Sequence, residues 1–231
     1  MDIEANLAAI RSRIDAACER AGRNPSEVTL MAVSKGQSAS TVEGALAAGL
    51  TLFGENRVQE AKIKISQCSN RCRWQLIGHL QSNKCRDAVH FFEKIQSVDS
   101  LDLARELNKF ADKSAKNLPI LLEVNMAKEA SKFGYDPELL LQELEDLNRL
   151  TKIEIMGLMT VAPWSPEPEK VRPIFRQMKE LLDQCSAKLG APLTELSMGM
   201  SGDFEVAIEE GATLVRIGTA LFGARPLPPK N

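Results

Sequence analysis

One lysine follows an apolar run, and its position suggests carbonyl chemistry. Lys35 comes directly after the run 28–34, and two-residue alternation places its side chain on the same face as Val33 and Met31. An amine that continues an apolar face can have a depressed pKa and act as a nucleophile toward a carbonyl carbon. The alternative is an amine that extends from the strand end into solvent, and this feature alone favours that alternative.

Two short segments near the C-terminus suggest a phosphate site. Residues 197–203 precede a helical stretch and carry Ser201, whereas Gly218 and Thr219 follow the last apolar run. Backbone N–H groups at a helix N-terminus and the helix dipole both favour an anion. Ser201 as an N-cap, with Asp203 in the first turn, is the alternative interpretation of the first segment. The two segments together favour the phosphate site.

Arg216 is the third candidate because it lies inside an apolar strand run. It shares one face with Leu214 and Gly218 by two-residue alternation. An unpaired buried charge is very costly, so the guanidinium needs an acceptor. That acceptor is either a neighbouring carboxylate, in a structural salt bridge, or an atom of a ligand.

The elements that must position these residues alternate between β-type runs and helical stretches. Many β-type runs are apolar on both faces, as in a parallel sheet covered by helices. Eight runs with helical connections predict a single (β/α)8 TIM barrel, with an open doubly wound sheet as the alternative. The β-type runs are 28–34, 51–53, 74–77, 94–98, 118–124, 152–158, 193–197 and 213–218. The helical stretches are 38–48, 55–66, 100–113, 136–149, 167–188 and 202–210.

The ends of the chain are assigned separately. An apolar stripe recurs at three- and four-residue intervals in 1–23 and predicts an extra N-terminal helix packed on the barrel, stopped at Gly22. The proline-rich segment 224–231 is predicted to be an extended tail. We therefore expect one domain over 1–231.

Composition excludes several classes of function. The 29 Lys and Arg residues nearly balance the 31 Asp and Glu residues, which argues against a nucleic-acid or membrane-surface partner. No apolar run is long enough to span a bilayer, and the N-terminus does not resemble a signal peptide. The 5 cysteines indicate reduced thiols, so we expect a cytoplasmic protein.

A metal site is not expected. Cys68 and Cys72 are four residues apart on a predicted helix, and Cys85, His79 and His90 lie nearby in sequence. A closed zinc site needs four convergent ligands, for which this spacing gives little support.

With these residues in view, the chain resembles the pyridoxal phosphate (PLP) homeostasis protein family, single-barrel relatives of the alanine racemase N-terminal domain. Each motif alone is weak, but their order at the predicted strand ends is specific. The motifs are AVSK (32–35), FGENRVQE (53–60), W-x-x-IGHLQSNK (74–84), KFG (132–134), GLM (157–159), LSMGMS-x-D (196–203) and VRIGTALFG (215–223).

The resemblance implies a fold-type III PLP-binding barrel without the second β domain, and it assigns roles to eight residues. Lys35 would hold the cofactor as a Schiff base, and Arg216 would face the pyridine nitrogen. The phosphate would be bound by Ser201, Gly218 and Thr219, and the ring pocket would be lined by Asn56, His79 and Met159. The chain departs from the family pattern at Gln75, where histidine is usual, and at 126–129, where a glycine is usual.

The resemblance further implies a function in vitamin B6 and amino and keto acid homeostasis, in which the protein carries or buffers PLP and is not an enzyme with robust turnover. PLP-dependent apoenzymes would be the recipients, and we expect a monomer. The racemase of the same fold type is the alternative. Racemisation needs two bases, which in alanine racemases are the lysine and a tyrosine, and the sole tyrosine of this chain is Tyr135. A third hypothesis is a barrel that binds a phosphorylated sugar or acts as a Schiff-base aldolase through the same lysine and phosphate loops.

Overall fold

The computed structural model describes residues 2–129 and 132–223. Eight parallel strands pair in chain order and close into a barrel, since β8 pairs with β1. The strands are β1 (Thr29–Val33), β2 (Leu52–Glu55), β3 (Arg73–Leu76), β4 (Lys94–Val98), β5 (Leu118–Glu123), β6 (Ile153–Met159), β7 (Glu195–Met200) and β8 (Leu214–Ile217). The prediction of a closed barrel is confirmed, and the alternative prediction of an open doubly wound sheet is wrong.

Helices cover the outside of this barrel. They are α1 (Ile3–Arg20), α2 (Ala39–Ala47), α3 (Val58–Ile65), α4 (Cys85–Phe91), α5 (Leu101–Lys113), α6 (Pro137–Asn148), α7 (Arg172–Leu189), α8 (Phe204–Glu209) and α9 (Thr219–Phe222). Short 3₁₀ turns lie at Pro25–Glu27, Ser82–Lys84 and Pro168–Val171. The sequence pattern did not predict α4, because two turns are too short for a clear helical period.

Strand β2 is longer than predicted and continues through Gly54. A Cβ at Gly54 would lie 2.7 Å from Sδ of Met31, so the glycine belongs to the crowded barrel wall and does not end the strand. The helix predicted from residue 55 consequently begins only at Val58, and Glu55 becomes a fully buried strand residue.

The N-terminal helix α1 begins where the side chain of Asp2 accepts a hydrogen bond from the Ala5 N–H at 2.9 Å. Its buried residues are Leu7, Ile10, Ile14, Ala17 and Cys18. The side-chain amide of Asn6 donates to the carbonyl of Leu221 at 2.9 Å, which ties α1 to α9. The predicted tail 224–231 lies outside the described residues.

Strand alternation divides the buried side chains into two regions. Val215 and Ile217 belong to the large apolar layer between strands and helices, whereas Leu214 packs with Met31 and Leu52 in a small cluster inside the barrel. Arg216 alternates with Val215 and Ile217 and therefore points inward. The barrel interior thus holds both apolar and polar side chains.

Candidate functional site

Lys35 lies just beyond β1, at the end of the barrel where the strands finish. It is half-buried and lines a small cleft whose other residues are Val33, Gln37, Gly218, Thr219 and Gly223. Closure of the barrel produces this arrangement, because β1 and β8 are neighbours and their C-terminal ends meet. Three predicted site residues, Lys35, Gly218 and Thr219, are therefore brought together.

Ser201 lies beside this cleft, but not as a helix cap. The first residue of α8 is Phe204 and its N-cap is Asp203, so the N-cap interpretation of Ser201 is wrong. The hydroxyl oxygen of Ser201 accepts a hydrogen bond from the Ala220 N–H at 3.1 Å, in the first turn of α9. Because the oxygen accepts this bond, the hydroxyl hydrogen remains a donor for another acceptor.

Arg216 lies below the cleft, inside the barrel, and is 4% exposed. Its Nη1 donates to Ser197 Oγ at 2.7 Å, and its Nη2 donates to the carbonyl of Thr160 at 2.7 Å. Burial lowers the pKa of Arg216 to about 10, while Glu123 and Asp203 act in the opposite direction. No carboxylate in the described part of the chain forms a salt bridge with it, so the structural salt bridge weighed as an alternative is wrong.

Asn56 follows β2 and is held by a close backbone contact. A Cβ at Gly78 would lie 2.3 Å from the carbonyl oxygen of Asn56, so only glycine allows this approach. The side-chain oxygen Oδ1 of Asn56 is buried and has no hydrogen-bond partner within residues 2–129 and 132–223. Such an orphaned acceptor fits a site completed by a ligand.

The remaining two ring-pocket candidates differ in their exposure. Met159 is fully buried at the end of β6 and is paired in register with Glu123. His79 is exposed. Its Nδ1 forms a hydrogen bond with Oδ2 of Asp99 at 3.1 Å, and its ring stacks on Phe133 at a ring-centroid distance of 3.5 Å. It lines a different cleft from Lys35, together with residues of the 79–83 loop and of 99–103.

A buried lysine, Lys64, forms a cluster that no sequence feature singled out. Its Nζ donates to the carbonyl of Ser34 at 2.7 Å, and to carboxylate oxygens of Glu55 at 2.5 Å and Glu60 at 3.2 Å. Three acceptors satisfy the three N–H donors of an ammonium group. The only sequence signal was the spacing of Glu60 and Lys64, four residues apart on a helix.

This cluster holds the backbone on both sides of Lys35. The preceding carbonyl, of Ser34, accepts from Lys64, and the following N–H, of Gly36, donates to Glu60 at 2.6 Å. The hydroxyl of Ser34 donates to Glu55 at 2.7 Å. Burial raises the pKa of Glu55, although its bonds to Lys64 and Ser34 favour the charged form. The cluster therefore positions the segment from which the Lys35 side chain projects.

The loop after Asn125 contains a residue in the left-handed backbone region. Lys128 has φ of +52°, a left-handed conformation that glycine adopts more readily. The Asn125 side chain compensates for this by bonding the backbone of Glu129 in both directions, at 2.8 Å and 3.2 Å.

Glu123 is a second buried acid that was not among the predicted site residues. It is 9% exposed, and its Oε2 has no hydrogen-bond partner in the described residues. Burial, and then Asp99, raise the pKa of this carboxyl to about 7, with Arg216 opposing them. The site therefore contains an acid that holds a proton close to neutral pH.

This property leads to a stability prediction for Glu123→Gln. The folded protein binds the proton of Glu123 more tightly than the unfolded chain, so stability falls as the pH rises from about 4.5 to about 7. The amide has no such proton, so the variant should be more stable than the wild type at pH 8, by up to about 3 kcal/mol. Urea unfolding at pH 4.5 and pH 8 measures the difference.

Glu154→Gln is the matched control, because Glu154 is exposed on β6. The free energy of unfolding of Glu154→Gln should differ from that of the wild type by the same amount at both pH values. If the difference for Glu123→Gln is also independent of pH, the raised pKa of Glu123 is contradicted.

The described residues contain no group of three or more His, Cys, Asp or Glu side chains able to hold a metal ion. Cys68 and Cys72 follow the end of α3 at Ile65, so their prediction on a helix is wrong. All five cysteines are free thiols. No helix in the described ranges is long and apolar enough to cross a membrane.

Comparison with known structures supports the fold. The structure of PipY from Synechococcus elongatus PCC7942 with PLP bound superposes with a TM-score of 0.86 at 39% identity, covering 96% of this chain and 100% of that one. Alanine racemase from Clostridium difficile 630 has a TM-score of 0.75 at 16% identity, covering 98% of this chain and 57% of that one. The second likeness is one of fold alone.

Comparison with protein sequences identifies the family. The family model of the alanine racemase N-terminal domain matches residues 5–226. The pyridoxal phosphate homeostasis protein of Aquifex aeolicus is 42% identical over 220 residues, covering 95% of this chain and 96% of the relative. That of Pseudomonas aeruginosa is 42% identical over 224 residues, covering 96% of each chain. The chain therefore belongs to the pyridoxal phosphate homeostasis protein family, within the group that shares the alanine racemase N-terminal barrel.

Proposed function

We propose that this protein binds PLP on Lys35 and carries or buffers the cofactor in vitamin B6 and amino and keto acid homeostasis. The observation that carries the proposal is that Lys35 lines one cleft with Gly218 and Thr219. PLP carries an aldehyde and a phosphate. The aldehyde requires an amine, and the phosphate requires the backbone amides and the hydroxyl of a phosphate loop. The relatives named above, and PipY with PLP bound, support the same assignment.

The residues around the cleft fit such a cofactor. PLP, when bound, would supply an aldehyde carbonyl, and Lys35 would hold the cofactor covalently through Nζ. Ser201, Gly218 and Thr219 would donate to the phosphate, since the Ser201 hydroxyl hydrogen is available beside the first turn of α9. The orphaned oxygen of Asn56 and the buried Met159 would border the ring. His79 lines a separate cleft and, stacked on Phe133, would contribute only an outer wall.

A carrier is favoured over an enzyme by two features of the site. Arg216 would face the ring nitrogen, and a guanidinium does not give up its proton, so that nitrogen would stay unprotonated and withdraw fewer electrons. Tyr135, the sole tyrosine, is buried and donates to Glu143 at 3.2 Å, and burial raises the pKa of its phenol well above the usual value. It is therefore a poor second base for racemisation.

The proposal is tested by the absorbance spectrum of the protein loaded with PLP, before and after borohydride reduction, with peptide mass mapping. We expect a visible band that reduction removes and a pyridoxyl adduct on the peptide that contains Lys35. A protein that takes up no PLP would overturn the assignment in favour of the phosphorylated-substrate barrel. Rapid racemisation of an amino acid would favour the racemase alternative over the carrier.

The phosphate assignment has its own test in Ser201→Ala and Thr219→Ala. Each variant leaves a charged acceptor one hydrogen bond short, so each should weaken cofactor binding by about 1 to 3 kcal/mol. The dissociation constant for PLP, measured by fluorescence titration, gives the change. Ser26→Ala, in an exposed 3₁₀ turn, is the control. Two variants that bind as well as the wild type would show that the phosphate lies elsewhere.

The proposal also includes the compartment, the oligomeric state and the recipients of the cofactor. The free state of the five cysteines supports a reducing compartment, and we place the protein in the cytoplasm. We expect a monomer, and sedimentation analysis tests its oligomeric state. We also expect that it passes PLP to PLP-dependent apoenzymes, and activation of an apoenzyme by the loaded protein tests this transfer.

A further inference from the structure

A chain of hydrogen bonds crosses the barrel interior from Arg216 to Glu93. Nη1 of Arg216 donates to Ser197 Oγ, and that hydroxyl donates to Oε1 of Gln96, each at 2.7 Å. Nε2 of Gln96 then donates to Oε1 of Gln75 at 2.7 Å. Finally, Nε2 of Gln75 donates to Oε1 of Glu93 at 2.9 Å. Strands β8, β7, β4 and β3 thus contribute one link each.

The linking side chains are shielded from water. Ser197 and Gln96 are fully buried, and Gln75 is 2% exposed. A buried polar group without a partner costs free energy, whereas a fully satisfied network makes its members rigid. Apolar side chains would fill this interior more simply, as Met31 and Leu52 do beside it. These polar side chains therefore do more than fill the barrel interior.

The direction of donation along the chain is determined by its two ends. An arginine side chain can only donate, and an ionised carboxylate can only accept. Ser197, Gln96 and Gln75 each accept one bond and donate the next. Rotating the side-chain amide of Gln96 or of Gln75 by half a turn would place two donors or two acceptors against each other. Each of these side chains therefore has one favourable orientation.

The far end of the chain is anchored by an ion pair. Glu93 lies just before β4 and accepts from Nε and Nη2 of Arg73, each at 3.0 Å. At the near end, Nη2 of Arg216 donates to the carbonyl of Thr160. The guanidinium is thus held from two directions, by β7 through Ser197 and by the residue that follows β6.

We propose that Ser197, Gln96 and Gln75 are positioning residues, which hold the Arg216 guanidinium in a single orientation at the cofactor site. The alignment of that guanidinium with the ring nitrogen of PLP rests on the proposed function. The fixed orientation of Arg216 itself does not, because every contact in the chain is made by the protein alone.

The first test therefore uses the protein without cofactor. In ¹⁵N-arginine-labelled protein, we expect one guanidinium with slow rotation about Nε–Cζ and slow hydrogen exchange at Nη, assigned by its absence in Arg216→Lys. Gln96→Leu and the milder Ser197→Ala should speed both processes. A guanidinium that is equally slow in the folded Ser197→Ala variant would overturn the proposal.

The second test is rescue at Gln75 by a side chain that can both accept and donate. Gln75→Leu breaks the chain, whereas a neutral imidazole in Gln75→His accepts at one nitrogen and donates at the other. We expect the slow guanidinium signal to be lost in Gln75→Leu and restored in Gln75→His. Equal signals in the two variants would show that packing alone, and not donation along the chain, holds Arg216.

The third test concerns the bound cofactor. Gln96→Leu should still be labelled at Lys35 by PLP and borohydride, but its visible absorbance band should titrate at a different pH from that of the wild type. Its dissociation constant for PLP should rise about tenfold, the effect of one lost charged hydrogen bond. Met31→Leu, a conservative change inside the barrel but outside the chain, is the control and should leave the spectrum unchanged.

The outcomes separate the two proposals. A wild-type protein that shows the slow guanidinium but takes up no PLP would overturn the proposed function and retain the positioning chain. A Gln96→Leu variant with unchanged arginine exchange and an unchanged titration of the band would overturn the positioning chain and retain the function.

Discussion

Lys35→Ala should eliminate covalent attachment of PLP while the barrel still folds. The side chain lies beyond the end of β1 in a cleft, so its removal creates no cavity in the apolar layer between strands and helices. Without the amine, no C=N bond to the cofactor forms, and the phosphate loops alone can retain PLP only reversibly. Absorbance after gel filtration should show loss of the visible band, and urea unfolding should show stability close to that of the wild type.

Lys35→Arg is the matched control for this prediction. It keeps the positive charge in the cleft, but its guanidinium is not expected to form the linkage. Both variants should therefore lack the pyridoxyl adduct after borohydride reduction. An adduct of equal yield on another lysine in Lys35→Ala would contradict the assignment of Lys35 as the anchor.

The second large effect is expected from Lys64→Met, and it concerns stability. The substitution leaves the buried carboxylate of Glu55 without its cation and the carbonyl of Ser34 without its donor. Breaking a buried ion pair by removing one partner typically costs about 3 to 5 kcal/mol. Urea unfolding at pH 8 should show a loss of this size.

The pH dependence of that loss identifies its cause. Burial already raises the pKa of Glu55, and removal of Lys64 raises it further, so the carboxyl can take up a proton as the pH falls. The destabilisation should therefore be smaller at pH 5 than at pH 8. The double variant Glu55→Gln with Lys64→Met removes the charge and should recover much of the lost stability. Equal losses in the single and double variants would contradict an electrostatic origin.

Local sequence patterns were sufficient for most of the fold but not for element ends. The alternation of apolar runs and helical stretches predicted all eight strands because covered parallel strands are apolar on both faces. The strand around Gly54 was underestimated, since a glycine usually marks a turn and here lies against Met31 in the barrel wall. The boundary of α8 was placed too early because the residues before it form a turn and not a helix.

The candidate site was predictable to the extent that it follows from strand ends. Parallel strands place their C-terminal ends at one mouth, so Lys35 after β1 and Gly218 after β8 had to lie on the same side of the barrel. The burial of Lys64 and Glu123 was not predictable in this way. Lys64 is charged, and nothing in the local pattern distinguishes it from a surface residue of a helix. For Glu123 the one sequence signal is its position inside the apolar run 118–124, as for Arg216 in its own run.

The sequence by itself determined the order of strands and helices, the family, and the position of Lys35 beside the predicted phosphate loops. These properties depend on local periodicity and on motifs contiguous in the chain. Only the tertiary structure decided which side chains meet inside the barrel. Gln96 and Ser197 are 101 positions apart, and Arg216 finds Ser197 and the Thr160 carbonyl instead of a carboxylate. The physical reason is that barrel closure brings together inward-facing residues of distant strands, a contact that no local pattern encodes.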